Sequence, residues 1–166
     1  MRNAYFAGGC FWCITPCFTR LPGVDQVISG FSGGDEADPT YEAVKHQQTG
    51  HRETICISYD PEKVSFDKLL SVFLASVDPF DGGGQFIDRG RSYTLAVYYQ
   101  DEAELSAAQA RLDALAQKSG QTPQVALEPF KAFWAAGEEH QNFYMKNPEA
   151  FTREMEESGR RNGHEL

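Results

Sequence analysis

The chain has 166 residues, 41% hydrophobic and 13% aromatic, with a formal net charge of −9. Such a length suits a single domain spanning residues 1–166, with its core at about 4–148 and a charged tail at about 149–166, and the composition excludes a disordered chain. The acidic balance repels nucleic acid and anionic lipid, so neither is expected as a partner.

Residues 3–8 read as a strand that runs into Gly8-Gly9-Cys10-Phe11-Trp12-Cys13. Residues 11–20 read as a helix carrying Pro16, which either kinks it or starts it afresh with Thr15 as cap. Val24–Ser32 is a second strand candidate. Asp38 reads as the cap of a helix with Pro39 in its first turn. From Glu53 to Tyr59 the chain alternates: Glu53, Ile55, Ile57 and Tyr59 share one face, Thr54, Cys56 and Ser58 the other. Ser65 caps a helix reaching about Ser76, and a glycine-rich loop follows at 82–84. Tyr93–Tyr99 is a further strand. Residues 101–118 form an amphipathic helix with Leu105, Ala108, Leu112 and Leu115 on one side, ended by Gly120. After Pro148 the tail is expected to pack over the surface or fray. Strands and helices mix without strict alternation, which predicts an α+β fold with helices against a largely antiparallel sheet.

Four cysteines, three of them within residues 10–17, are too few and too clustered for a secreted disulfide framework. The expectation is a cytoplasmic protein. Nothing at the N-terminus reads as a signal peptide, since the apolar stretch after Arg2 is broken at Gly8, and no apolar run approaches membrane-spanning length.

Chemistry gathers first at Cys10. A cysteine where a strand turns into a helix faces the free N–H groups of the first turn, which favour thiolate. Phe11 and Trp12 behind it are core residues or an aromatic wall for a small apolar group. Glu53 breaks an apolar strand face. It stands either at an exposed strand end or in a buried setting that raises its pKa and keeps it neutral as a general acid. Tyr41, Asp88 and Tyr93 are unremarkable singly. His51 and His140 lack paired metal spacing, and His46 and His51, five apart, do not share a helix face.

Together these residues carry a resemblance. Gly9-Cys10-Phe11-Trp12 is similar to the active-site signature of the peptide-methionine (S)-S-oxide reductase family. Pro39-Thr40-Tyr41, Thr49-Gly50-His51-Arg52-Glu53, Asp88-Arg89-Gly90-Arg91-Ser92-Tyr93 and Glu139-His140-Gln141 resemble its other motifs in family order, from about Tyr5 to Pro148. The resemblance implies a two-layer ferredoxin-like plait, mainly antiparallel, with flanking helices and a long irregular C-terminal segment. It implies Cys10 as nucleophile, Phe11 and Trp12 holding the substrate methyl, Glu53 protonating the sulfoxide oxygen, Tyr41 and Tyr93 hydrogen-bonding it, and Asp88 supporting the polar network. Many members carry glycine where this chain has Cys13, glutamate where it has Thr15, and a resolving cysteine near the C-terminus; here no cysteine follows Cys56.

The implied reaction is reduction of methionine sulfoxide, free or in proteins and of the S epimer, to methionine. A Cys10 sulfenic acid forms and a second thiol condenses with it to a disulfide, which an external dithiol, thioredoxin by resemblance, reduces. No metal or organic cofactor is called for, and a monomer is expected. Cys13 is the expected resolving thiol, with Cys17 as the alternative, directly or in a relay; Cys56 should point away from the site. Two rivals remain: a general thiol-disulfide oxidoreductase using Cys10-Phe-Trp-Cys13, and a binding module holding a metal on Cys10, Cys13 and Cys17.

Overall fold

A computed structural model describes residues 1–158. Its main sheet has six strands: β1 (Arg2–Gly8), β2 (Val24–Ser32), β3 (Arg52–Tyr59), β6 (Leu95–Tyr99), β7 (Val125–Pro129) and β8 (Phe133–Ala135). They lie in the order β7-β6-β1-β3-β2-β8, antiparallel throughout except for β6 beside β7. Two short strands, β4 (Gly84–Gln85) and β5 (Asp88–Arg89), pair apart from it as a ribbon. The helices are α1 (Phe11–Thr19), α2 (Tyr41–Lys45), α3 (Phe66–Ser76), α4 (Glu102–Ser119), α5 (Phe143–Lys146) and α6 (Pro148–Ser158), with 3-10 turns at Arg91–Tyr93 and Glu138–His140. This is an α+β fold on a mixed sheet.

Alternation along the strands builds two apolar layers. Ala4, Phe6, Ile55, Ile57, Leu95 and Val97 face the main core with Phe18, Leu69, Leu70 and Phe73 from α1 and α3. Phe6 is ringed by Phe18, Phe66 and Phe73 at centroid distances of 6.0, 5.9 and 5.0 Å, so truncating it to alanine should cost about 3–5 kcal/mol. On the opposite face Tyr5, Ala7, Cys56, Ala96 and Tyr98 pack under Phe130 and Phe133, with Tyr5 stacked on Phe130 at 4.0 Å.

Several local expectations change in three dimensions. The C-terminal third is not irregular: it supplies β7, β8, α5 and α6, and only the end of the charged tail, 159–166, lies outside the described residues. The helix after Pro39 is capped by Thr40, whose side chain accepts the Ala43 N–H at 3.1 Å, while Asp38 turns left-handed at φ 47°. A residue before proline is steered away from helical geometry, and the hydroxyl one residue beyond the proline is better placed as a cap. Tyr93 ends a 3-10 turn, and the strand starts two residues later at Leu95. α1 runs unbroken through Pro16. Thr15 does not restart it; its hydroxyl donates to the Phe11 carbonyl at 2.6 Å. Ser65 does cap α3, and Gly120 does end α4.

Candidate active site

The strand-to-helix turn owes its shape to the glycine pair. A Cβ on Gly8 would strike Ile14 of α1, and Gly9 sits at φ 83°, a left-handed angle that glycine takes without strain. The chain thereby reverses in two residues and leaves Cys10 as the N-cap of α1, 7% exposed. Phe11 is fully buried and Trp12 half-buried, so of the two aromatics Phe11 is the core residue.

Glu53 lies one residue into β3 on the helix-facing side, 1% exposed, which decides between its two readings in favour of burial. One carboxyl oxygen accepts the Phe11 N–H at 3.2 Å; the other, Oε2, is buried without a hydrogen-bond partner. Burial above all pushes the Glu53 carboxyl up to about 8; the Phe11 N–H opposes the shift, while Asp88 and Cys13 add to it. Glu53 is therefore neutral through the neutral pH range.

Tyr41 opens α2 and Tyr93 closes the turn at Arg91–Tyr93. Burial raises both phenols, and Glu53 is the largest charge acting on each; Cys10 and Asp88 act on both as well. Asp88, on β5, also raises Cys10 and Glu53. The fold thus gathers Cys10, Glu53, Tyr41, Tyr93 and Asp88, drawn from five segments, within electrostatic reach of one another.

Cys10 departs from expectation. Its pKa is pushed up, not down, by its hydrogen bond with the Cys13 side chain, then burial, then the Cys13, Glu53 and Asp88 charges. The resting group is a thiol: one turn of helix N–H groups does not outweigh an apolar enclosure with acidic neighbours. Cys13 is 1% exposed, and its N–H bonds to the Cys10 carbonyl at 3.1 Å. Cys17, a further turn along the unbroken helix, is sunk in the main core, and Cys56 lies on the opposite sheet face. Among the described residues no two cysteines are joined in a disulfide, and no group of three or more His, Cys, Asp or Glu is placed to hold a metal ion.

His140, part of the Glu139-His140-Gln141 motif and without metal-ligand spacing, has an aromatic role. In the fold it stacks on Tyr41 at 4.2 Å and lies parallel to Trp12 at 5.7 Å, while Phe143 stacks on Trp12 at 4.1 Å. Burial lowers the His140 pKa. The segment carrying both rings is moored by Gln141, which takes the Ser29 N–H at 2.8 Å and donates to the Ser29 carbonyl at 3.0 Å. Glu139-His140-Gln141 was the signal; what it packs against was not readable. His51 braces a loop, its Nδ1 accepting the Gly34 N–H and its Nε2 facing the Glu36 carbonyl, and His46 pairs with Glu42 at the surface. A cleft of about 720 Å³ beside Arg52, Arg91 and Gln124 has none of the gathered site residues in its lining.

The family described as Peptide methionine sulfoxide reductase matches residues 2–165. The chain belongs to that family. It is 44% identical over 163 residues to Peptide methionine sulfoxide reductase MsrA of Halalkalibacterium halodurans, covering 96% of this chain and 92% of that protein. The Bacillus subtilis MsrA is 42% identical, covering 95% and 90%. Among solved structures, methionine sulfoxide reductase A of Corynebacterium diphtheriae superposes with a TM-score of 0.79 at 28% identity, over 88% of this chain and 74% of that one. This peptide methionine sulfoxide reductase thus keeps a buried, partner-poor glutamate beside an N-capping cysteine.

Proposed function

We propose that the protein reduces the S epimer of methionine sulfoxide, free or in proteins, with Cys10 as nucleophile and Glu53 as general acid. The buried Oε2 of Glu53, without a hydrogen-bond partner, carries this reading. A neutral carboxyl with an unshared O–H is what a sulfoxide oxygen requires. A general thiol-disulfide exchanger has no use for it.

The substrate oxygen meets Glu53 and the Tyr41 and Tyr93 hydroxyls, with the methyl against Trp12 and the edge of the Phe11 cluster. Asp88 supports the polar network. As Glu53 gives its proton to the oxygen, the Cys10 sulfur attacks the substrate sulfur and loses its own proton, which restores Glu53. The S–S bond so formed then breaks, its electron pair going to the methionine sulfur, as the hydroxyl leaves that sulfur for Cys10; one S–O bond is exchanged for another, and two electrons pass from the cysteine sulfur to the methionine sulfur. Methionine and Cys10 sulfenic acid result. The Cys13 thiol then attacks that sulfur and releases water, leaving a Cys10–Cys13 disulfide. The Cys10–Cys13 hydrogen bond supports Cys13 in this role, whereas Cys17 is walled into the core. An external dithiol, thioredoxin, completes the cycle in the cytoplasm. Among the described residues no helix is long and apolar enough to cross a membrane.

The unit β1-α1-β2-β3-α3-β6 with central order β6-β1-β3-β2 supports derivation of the fold from a ferredoxin-like plait, extended by β7 and β8. The deciding experiment is turnover of separate S and R epimers with dithiothreitol. Rapid reduction of S alone is expected; equal rates on both would overturn the assignment.

A further inference from the structure

Gln47 stands where a glutamine is costly. α2 ends with His46 as its cap; the Gln47 N–H bonds to the Val44 carbonyl at 3.0 Å and the Gln48 N–H to the Ala43 carbonyl at 2.9 Å. These paired bonds form a Schellman ending, whose residue after the cap turns left-handed and is usually glycine. Gln47 takes that conformation with φ 61°. A side chain there is strained, and surrounding contacts must hold it.

The contacts are made by its own amide. Oε1 accepts the Ser92 N–H at 3.0 Å, and Nε2 donates to the Ser92 hydroxyl at 2.7 Å and to the Lys45 carbonyl at 3.1 Å. Gly90 lies flat against this amide: a Cβ there would stand 2.7 Å from Gln47 Cδ, on a backbone at φ 120°. Ser92 is 1% exposed and precedes Tyr93. Nearby, Arg91 Nε donates to the Gly50 carbonyl at 3.3 Å, from the same turn to the loop that follows α2. Tyr41 begins the helix that Gln47 ends, and Tyr93 adjoins the serine that Gln47 grips.

We propose that Gln47 is a positioning residue for sulfoxide reduction, a latch that sets the Tyr93 hydroxyl in register with that of Tyr41. The inference rests on the assignment of those two hydroxyls to the sulfoxide oxygen. Two donors converge on one atom only if the segments bearing them are held to each other, and small displacements of such donors slow a reaction steeply. The strain at Gln47 and the grip on Ser92 explain each other: the left-handed angle aims the side chain at the turn, and the three hydrogen bonds offset the cost of that angle.

Glycine at this position separates the two effects, since it accepts the backbone angle and lacks the latch. Gln47→Asn, which tolerates the same angle and is one methylene too short to reach Ser92, is the second variant. Sulfenic acid formation is measured in single turnovers of wild type, Gln47→Gly, Gln47→Asn, Tyr93→Phe and each Gln47 variant combined with Tyr93→Phe, with melting temperatures alongside. Both Gln47 variants should melt within a few degrees of wild type and react about tenfold more slowly. In the Tyr93→Phe background the same changes should cost less than about twofold, because the hydroxyl they position is gone. A wild-type rate in Gln47→Gly, or an equal tenfold loss in both backgrounds, would overturn the latch. A wild-type rate in Tyr93→Phe itself would overturn the tyrosine assignment and the latch with it.

Discussion

The two ends of strand β1 each come to rest beside a buried glutamate, and the two carboxyls have opposite fates. At the Arg2 end, Glu104 is 3% exposed and both its oxygens are matched: Oε2 meets Arg2 at 3.2 Å and Oε1 takes the Gln100 N–H at 2.9 Å. At the Gly8 end, Glu53 is 1% exposed, receives one N–H and leaves Oε2 without a partner. Burial raises both pKa values; at Glu104 the Gln100 N–H and Arg2 oppose it, and at Glu53 the Phe11 N–H and Lys45 oppose it too, yet the deeper Glu53 carboxyl still reaches about 8. Low exposure by itself therefore does not set a carboxyl's chemistry. A carboxyl with its full set of partners is a structural tie; one denied them remains an acid.

The contrast breaks first if the Gly8 end is not the reacting end, so Cys10→Ser should abolish turnover with the fold intact, as read by methionine release and circular dichroism. Glu53→Gln should come next, slowing single-turnover sulfenic acid formation by ~10²–10⁴-fold while substrate binding is spared. In the wild type that step should weaken as pH rises through about 8, where Glu53 ionises, and this decline should be missing from Glu53→Gln. An unchanged rate in the amide variant would move the acid to Tyr41 or Tyr93.

Stability sharpens the same comparison. A carboxyl with a raised folded pKa contributes fully below the unfolded value of about 4.3 and loses that contribution as pH climbs towards its folded pKa. Wild type should therefore lose a few kcal/mol relative to Glu53→Gln between pH 5 and pH 8, measured by urea denaturation of both proteins. Glu104→Ala should instead destabilise by roughly 1–3 kcal/mol at neutral pH, leaving the Gln100 N–H without its acceptor and Arg2 with Asp101 alone, with kcat per folded molecule unchanged. The smallest effect belongs to Cys56→Ala. Packed among Tyr5, Ala96 and Tyr98 on the other sheet face, it should leave the yield of disulfide after one equivalent of substrate unaltered; a fall in that yield would place Cys56 in the electron path.

Much of the site was legible because it disturbs local patterns. Glu53 interrupts an apolar strand face, and Gly8-Gly9-Cys10 marks a turn into a helix. The Ser65 cap and the stop at Gly120 are likewise set within a few residues of chain. What stayed illegible depends on distant partners. β7 is a strand because β6 lies parallel to it, and β8 because the edge of β2 is open to it. Cys10 looked like a thiolate from its helix position alone, and became a thiol once Cys13 and the distant Glu53 and Asp88 surrounded it. His140 and Phe143 joined the aromatic cluster from more than a hundred residues beyond Trp12.

By itself, then, the sequence determined which residues are able to react and which local turns present them, since capping, alternation and glycine geometry act through bonds a few residues long. The tertiary structure decided which carboxyl stays protonated, which thiol adjoins Cys10 and how Gln47 ties one tyrosine's segment to the other's. Desolvation and Coulomb interactions depend on what is near in space, and the chain brings those neighbours together only by folding.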